Sequence, residues 1–222
     1  MNYVILAPGI VEFKNIIQSP DLLIKDIENL DIKISNNLGQ TLLEQWKPWI
    51  YGYENKDKPT LCMYKNIPME NEINKKDLFY NDQIQITKIL NDSIELAKNE
   101  YCKIYTNLKK NLNNKERFSK LLKYLPENMM PEHSDEGNTS RTLSMVAYLN
   151  EDYVGGEIIF RNFNISIKPS AGSIICFPSN FVYLHEVSKI ISGVRYSYPV
   201  WYHNKSKQDL PINEKLVKDA LL

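Results

Sequence analysis

The chain reads as mainly β with supporting helices, an α+β fold, on three observations. Between residues 126 and 203 short β-branched or aromatic runs recur, separated by turn residues. Before them, one apolar stripe at helical spacing runs from Ile86 to Tyr105. The 222 residues, 43% hydrophobic and 24% charged, suit one globular domain with a core of its own.

The elements follow in order. "MNYVILAPGIVEF" is a short apolar run broken by Pro8 and Gly9, without a basic leader, and reads as strand and turn. In "SPDLLIKDIENL", Ser19 is an N-cap, Pro20 takes the first helical position, and Leu22, Leu23, Ile27 and Leu30 repeat at helical spacing. "TLLEQWKPWIYGY" is aromatic-rich and is expected on the core. "ENKDKP" and "KNIPMENEINKKD" are polar and Pro-containing, and read as loops; the charged stretch 54–82 is the expected lid over a substrate. The stripe Ile86, Ile89, Leu90, Ile94, Ala97, Tyr101, Ile104 and Tyr105 predicts a long helix packed on a sheet.

The period then changes. "TLSMVAYL", "GEIIF", "ISIKP", "SIICF", "FVYLHEV" and "VRYSYPVWY" predict strands of an antiparallel sandwich or barrel. The tail, 204–222, reads as a loop and short helix. A net charge of +0 argues against a nucleic-acid footprint. No apolar run is long enough to span a membrane, so the expected location is cytoplasmic. Cys62, Cys102 and Cys176 lack CxxC spacing and read as small buried hydrophobes. Abundant Lys, Ile and Asn with scarce Gly hint at AT-rich coding, as in some microbes and viruses.

Chemistry concentrates in "PEHSDEG", where His133 and Asp135 are two residues apart, as on one side of a strand end. His185 lies far downstream, in "FVYLHEV", and Arg195 in the next strand. Seen singly, either histidine reads as a loop or core residue satisfied by hydrogen bonds. Together, two imidazoles and one carboxylate are the ligand set of a facial triad on Fe(II), with open positions for other ligands. His203 reads as a surface histidine.

On these motifs the chain resembles the 2-oxoglutarate- and Fe(II)-dependent dioxygenases, specifically the prolyl 4-hydroxylase-like family. "YLPENMMPEHSD" resembles its Tyr-led strand into His-x-Asp, and "RTLSMVAYLN" its second core strand. "VGGEIIF", "IKPSAGSIICFP" and "LHEVSKIISGVRYSYPVWY" match its Gly-Gly-Glu, Pro-x-x-Gly and His-Glu-Val…Gly-x-Arg-Tyr…Trp segments. The resemblance covers about residues 120–203. It implies a double-stranded β-helix (jelly roll) core at 120–203, with residues 1–119 as strands and support helices of one domain spanning 1–222.

The resemblance further implies that His133, Asp135 and His185 bind Fe(II) and that Arg195 holds the distal carboxylate of 2-oxoglutarate. Tyr148 would assist that carboxylate, and Tyr124 would lie over the cosubstrate. Arg141 and Trp201 match positions that face a peptide substrate. O2 is the oxidant and ascorbate a stimulant. The expected reaction is hydroxylation of peptidyl proline in a peptide or protein, with decarboxylation of 2-oxoglutarate to succinate and CO2. Alternatives are oxygenation of another residue or a small molecule, or a non-catalytic jelly-roll binding module. Relatives often carry Gly at Glu127 and Tyr at Met130, a site that borders the substrate pocket.

Overall fold

Two facing β-sheets form the barrel, and two helices cover the outer face of the larger one. The computed structural model describes residues 1–38, 46–50, 60–67, 70–115, 119–136 and 140–204. The strands are β1 (Asn2–Ala7), β2 (Ile10–Lys14), β3 (Lys47–Ile50), β4 (Thr60–Ile67), β5 (Leu112–Lys115), β6 (Ser119–Tyr124), β7 (Met130–His133) and β8 (Arg141–Tyr148). Then come β9 (Val154–Gly155), β10 (Ile158–Phe160), β11 (Ile165–Ile167), β12 (Ile174–Pro178), β13 (His185–Val187), β14 (Ile190–Ser192) and β15 (Arg195–Asn204). The helices are α1 (Pro20–Leu38), α2 (Tyr80–Ile104) and the short α3 (Leu108–Asn111).

The large sheet runs β1-β2-β12-β8-β15-β6-β4-β3, with β5 also paired to β15; the small sheet runs β11-β10-β13-β7, and β14 pairs with β9. The strands pair antiparallel, as in β8–β12, β8–β15 and β7–β13. β1 and β2 extend one side of the large sheet, and β3 and β4 the other.

Strand alternation sorts the side chains into two layers. On β8, Leu143, Met145 and Ala147 face the helices, in one cluster with Leu90, Ile94 and Ala97 of α2. On β12, Ile174 and Cys176 join that cluster, whereas Ile175 and Phe177 face the small sheet with Ile158 and Phe160. On β15, Tyr196, Tyr198 and Tyr202 point to the helices and donate their hydroxyls to Glu28 (2.6 Å), Asn91 (3.2 Å) and Glu95. The helices therefore hold the back of the sheet whose front carries the cavity.

The α2 stripe is confirmed: Ile86, Leu90, Ile94, Ala97 and Tyr101 are buried, with Ile89, Ile104 and Tyr105 packed against them. The N-terminal strand–turn–strand is the β1–β2 hairpin. The three cysteines are free and buried. No helix of the described residues is long and apolar enough to cross a membrane.

Several expectations need correction. Helix α1 starts at Pro20, but Ser19 has a left-handed backbone (φ 50°) instead of the extended one usual for an N-cap. Leu22 is 53% exposed, so the buried stripe is Leu23, Ile27 and Leu30. Residues 60–67, expected within a loop, are strand β4, paired on both sides with β3 and β6. Trp46 is buried and donates to Asp31 (2.9 Å), while residues 39–45 and 51–59 of the aromatic and lid segments lie outside the described residues. In "FVYLHEV", Phe181–Tyr183 form a 3₁₀ turn capped by Asn180, whose Oδ1 accepts from the Val182 N–H at 3.1 Å, and the strand begins only at His185. "YLPENMMPEHSD" is not one strand: Tyr124 ends β6 in the large sheet and His133 ends β7 in the small one. The tail beyond Asn204 lies outside the described residues.

The reversal between β6 and β7 carries Glu127 at φ 73°, in the left-handed region that favours glycine. Glu127→Gly is expected to raise stability by about 1 kcal/mol in denaturant unfolding, since the exposed Lys189–Glu127 ion pair that it loses is worth little. A clear loss of stability would contradict the strain. In the helix layer, Ile94→Ala is expected to cost about 2–5 kcal/mol, against less than about 0.5 kcal/mol for Leu96→Ala on the exposed face.

Candidate active site

The site lies between the two sheets, and three short sequence segments build its polar end. β13 pairs with β7 so that His185 stands directly opposite His133. Their ring centroids are 4.4 Å apart. Asp135 follows β7 in a bend, with its carboxylate 3.5 Å from His133 Nε2 and 3.7 Å from His185 Nε2. The ligand atoms of the three residues all lie within 4.8 Å of one another.

Each ring is fixed from behind. His133 Nδ1 lies 2.9 Å from the Pro131 carbonyl, and His185 Nδ1 lies 3.1 Å from the Tyr183 carbonyl. A carbonyl only accepts, so Nδ1 carries the proton and Nε2 presents a lone pair to the cavity. Phe160 and Phe177 wall the His185 ring at centroid distances of 5.6 and 4.8 Å. Burial alone would raise the Asp135 carboxyl, but the imidazoles of His185 and His133 beside it, with Ser144, hold it well below the usual carboxylate range. Burial opposes charge on His133 too, yet Asp135 outweighs it and raises that imidazole above its ordinary value. At His185 burial dominates and the value falls.

The other end of the cavity is cationic. Arg195 is 1% exposed, pairs in register with Tyr124, and lies between the rings of Tyr124 (4.8 Å) and Tyr148 (5.1 Å). Its Nη1 donates to Ser197 Oγ at 3.0 Å, whereas its Nε has no hydrogen-bond partner among the described residues. The groups acting most on its charge, after burial, are the phenols of Tyr148, Tyr124 and Tyr153, not carboxylates. Gly156 makes room for it: a Cβ there would sit 3.1 Å from Arg195 Cδ and 2.4 Å from Ile190 Cδ1, at φ 70°. A buried guanidinium without a carboxylate partner is costly unless an anion completes it.

All eight residues singled out in the sequence line one cavity of about 230 Å³. Beyond the triad, Arg195, Tyr124 and Tyr148 stand together. Arg141 lays its guanidinium 4.0 Å over the Trp201 ring and donates from Nη1 to the Asp135 carbonyl at 3.2 Å. The Trp201 indole N–H and the Tyr148 hydroxyl are buried without a hydrogen-bond partner among the described residues. His203 is remote from this set and contacts Ser140 at 3.0 Å.

Other lining residues escaped the sequence reading. Ser197 and Pro199 share the cavity face of β15 with Arg195 and Trp201, and period-two alternation from Arg195 would have found them. Trp49 of β3 and Leu61 of β4 arrive from the N-terminal half, where no local signal marks them. Ser144 is near the Asp135 carboxylate and pairs with Ser179, and nothing in the sequence separates the two from other serines.

Residues 119–203 match the family model described as the 2OG-Fe(II) oxygenase superfamily. Over these residues the chain is similar to the 2OG-Fe(II) oxygenases. That family implies Fe(II), 2-oxoglutarate and O2 as cofactors. Human prolyl 3-hydroxylase 2 is 35% identical over 69 residues, 29% of this chain and 10% of the relative, so the chain spans about a tenth of the length of the curated relatives it matches. Among solved structures, a Trichoplax adhaerens prolyl hydroxylase in complex with a hypoxia inducible factor peptide fragment aligns at TM-score 0.62 and 14% identity, covering 88% of this chain and 84% of that one. A Phytophthora capsici prolyl 4-hydroxylase aligns at 0.57 and 16%, covering 96% and 66%. The viral collagen prolyl hydroxylase of Paramecium Bursaria Chlorella virus-1, as its 2OG complex, aligns at 0.53 and 15%, covering 89% and 97%. These likenesses establish the oxygenase jelly-roll fold.

The donors of the site fit that family's iron. Two imidazole nitrogens with lone pairs turned inward and one ionised carboxylate suit a non-haem Fe(II) held on one face. The buried, anion-deficient Arg195 suits a dicarboxylate cosubstrate at the far end of the same cavity.

The raised His133 value sets the pH behaviour of this centre. A protonated imidazole cannot ligate a metal, so affinity falls as pH drops through the His133 range, which lies above the ordinary imidazole value. Mn(II) affinity is expected to weaken by about tenfold or more from about pH 8 to about pH 6. A flat profile in a titration of free Mn(II) by electron paramagnetic resonance would contradict this.

Proposed function

We propose that this chain is an Fe(II)- and 2-oxoglutarate-dependent dioxygenase that hydroxylates a peptide, with peptidyl proline as the first substrate class. One observation carries the reading. A single cavity has the His133–Asp135–His185 donors at one end and the buried Arg195 guanidinium, lacking an anion, at the other.

In this reading His133, Asp135 and His185 hold the iron. When bound, iron with its cosubstrates supplies the oxidising chemistry: O2 is consumed, 2-oxoglutarate gives succinate and CO2, and one oxygen atom ends as a hydroxyl on the substrate. Arg195 grips the distal carboxylate of 2-oxoglutarate, steadied by Ser197. A guanidinium matches a carboxylate in two parallel hydrogen bonds. The unpartnered Tyr148 hydroxyl donates to the same carboxylate, and the Tyr124 ring covers the cosubstrate. The apolar wall of Leu122, Ile158 and Val187 excludes water from this end.

At the substrate side, Trp201 offers its free indole N–H to a peptide carbonyl, and Arg141 holds that ring flat. Met130, Trp49 and Pro199 supply an apolar, aromatic lip suited to a pyrrolidine ring. A proline substrate is supported by the prolyl hydroxylases named above as similar to this chain, and by the peptide in one of their complexes.

His133→Ala and Asp135→Ala are expected to abolish succinate formation while leaving the folded domain intact by circular dichroism. Arg195→Ala is expected to raise the 2-oxoglutarate requirement about 10–100-fold, the loss of a charge-assisted contact of about 1.5–3 kcal/mol, with less effect on metal binding. Anaerobic addition of Fe(II) and 2-oxoglutarate to the native chain should give a visible charge-transfer band. Peptide libraries should then gain one oxygen by mass spectrometry, at proline. No band and no succinate above background would favour a non-catalytic jelly-roll module; oxygen on another residue would redirect the substrate alone.

A further inference from the structure

Asp135 is the one ligand of the triad outside a strand, so something other than a β-ladder must fix it. Two serines stand near it. Ser144, on β8, is 0% exposed, and Ser179, just past β12, is 1% exposed. Their hydroxyl oxygens are 2.8 Å apart. Ser144 also lies close enough to the Asp135 carboxylate to help hold it ionised. Backbone bonds tie the same pieces together. Glu136 N–H donates to the Ser179 carbonyl at 2.9 Å, and Ser179 N–H donates to the Thr142 carbonyl at 3.1 Å.

The direction of these bonds follows from chemistry. An ionised carboxylate only accepts, so in a bond between the two the Ser144 proton points at Asp135. Ser144 Oγ must then accept from Ser179, whose own proton completes the pair. Two fully buried hydroxyls cost free energy that a valine-sized apolar residue would not, unless every proton is used. In this arrangement each is used, and both point one way, toward the metal-facing carboxylate. Bonds in such a chain polarise one another.

We propose that Ser144 and Ser179 are positioning residues, a polarised hydroxyl relay that sets the rotation of the Asp135 carboxylate for metal binding. The relay rests on the iron-site reading above. It acts through Asp135 and touches neither substrate nor cosubstrate. Its loss leaves the carboxylate free to turn away from the two Nε2 atoms, so the metal is held less tightly while the fold persists.

The test titrates Mn(II), a redox-stable probe of the iron site, into the native chain and four variants, reading free Mn(II) by electron paramagnetic resonance and melting temperature without metal. His133→Ala is the control for the site. Ser144→Ala is expected to weaken Mn(II) binding about 10–100-fold, Ser179→Ala less but in the same direction, and Ser144→Thr, which keeps the hydroxyl, to return most of it. Melting without metal should stay close to the native value. Native-like Mn(II) affinity in Ser144→Ala would overturn the relay. If that variant does not fold, native-like affinity in a folded Ser179→Ala would overturn it instead. No Mn(II) binding by the native chain, or equal binding by His133→Ala, would sink the iron site and the relay with it.

Discussion

The antiparallel register of β13 against β7 is the constraint on which the rest depends. It sets His185 opposite His133, so two imidazoles from distant parts of the chain meet across one ladder. A slip of one residue would turn one ring to the other face of the small sheet. The register is defended locally. Each ring is anchored through Nδ1 to the carbonyl two residues earlier in its own chain, so rotation of either ring breaks a partly buried hydrogen bond.

Charge is arranged along the cavity with the same economy of parts. β15 places Arg195, Ser197, Pro199 and Trp201 on the cavity side, and Tyr196, Tyr198 and Tyr202 on the helix side. One strand thus faces chemistry with its odd residues and is bolted to α1 and α2 by the phenol hydroxyls of its even ones. Anion-deficient Arg195 at one end and the negatively charged Asp135 at the other give the cavity opposed ends. A dicarboxylate and a divalent cation fit such a field in only one orientation.

The N-terminal half is more than a cushion. β3 and β4 continue the large sheet beyond β6 and bring Trp49 and Leu61 to the cavity. Lys65 of β4 forms a buried ion pair with Asp31 of α1, which also accepts from Trp46. Removing one partner of such a pair costs far more than the pair contributes, because the other is left buried and charged. This part of the chain is therefore coupled to the wall of the site through its own polar anchor.

Local pattern alone determined much of this protein. The α2 stripe, the turn-punctuated strands, and the His133, Asp135, His185 and Arg195 set were legible because helical period, strand alternation and ligand chemistry are properties of neighbouring or individual residues. Tertiary structure decided what depends on pairing between distant segments. It split "YLPENMMPEHSD" between two sheets, made residues 60–67 a strand, and brought Trp49 to the cavity mouth. It also seated Ser144 near the Asp135 carboxylate and paired it with Ser179. A serine or tryptophan carries no mark of its eventual partner, since that partner is set by sheet order and register, and those are global free-energy choices that no local period encodes.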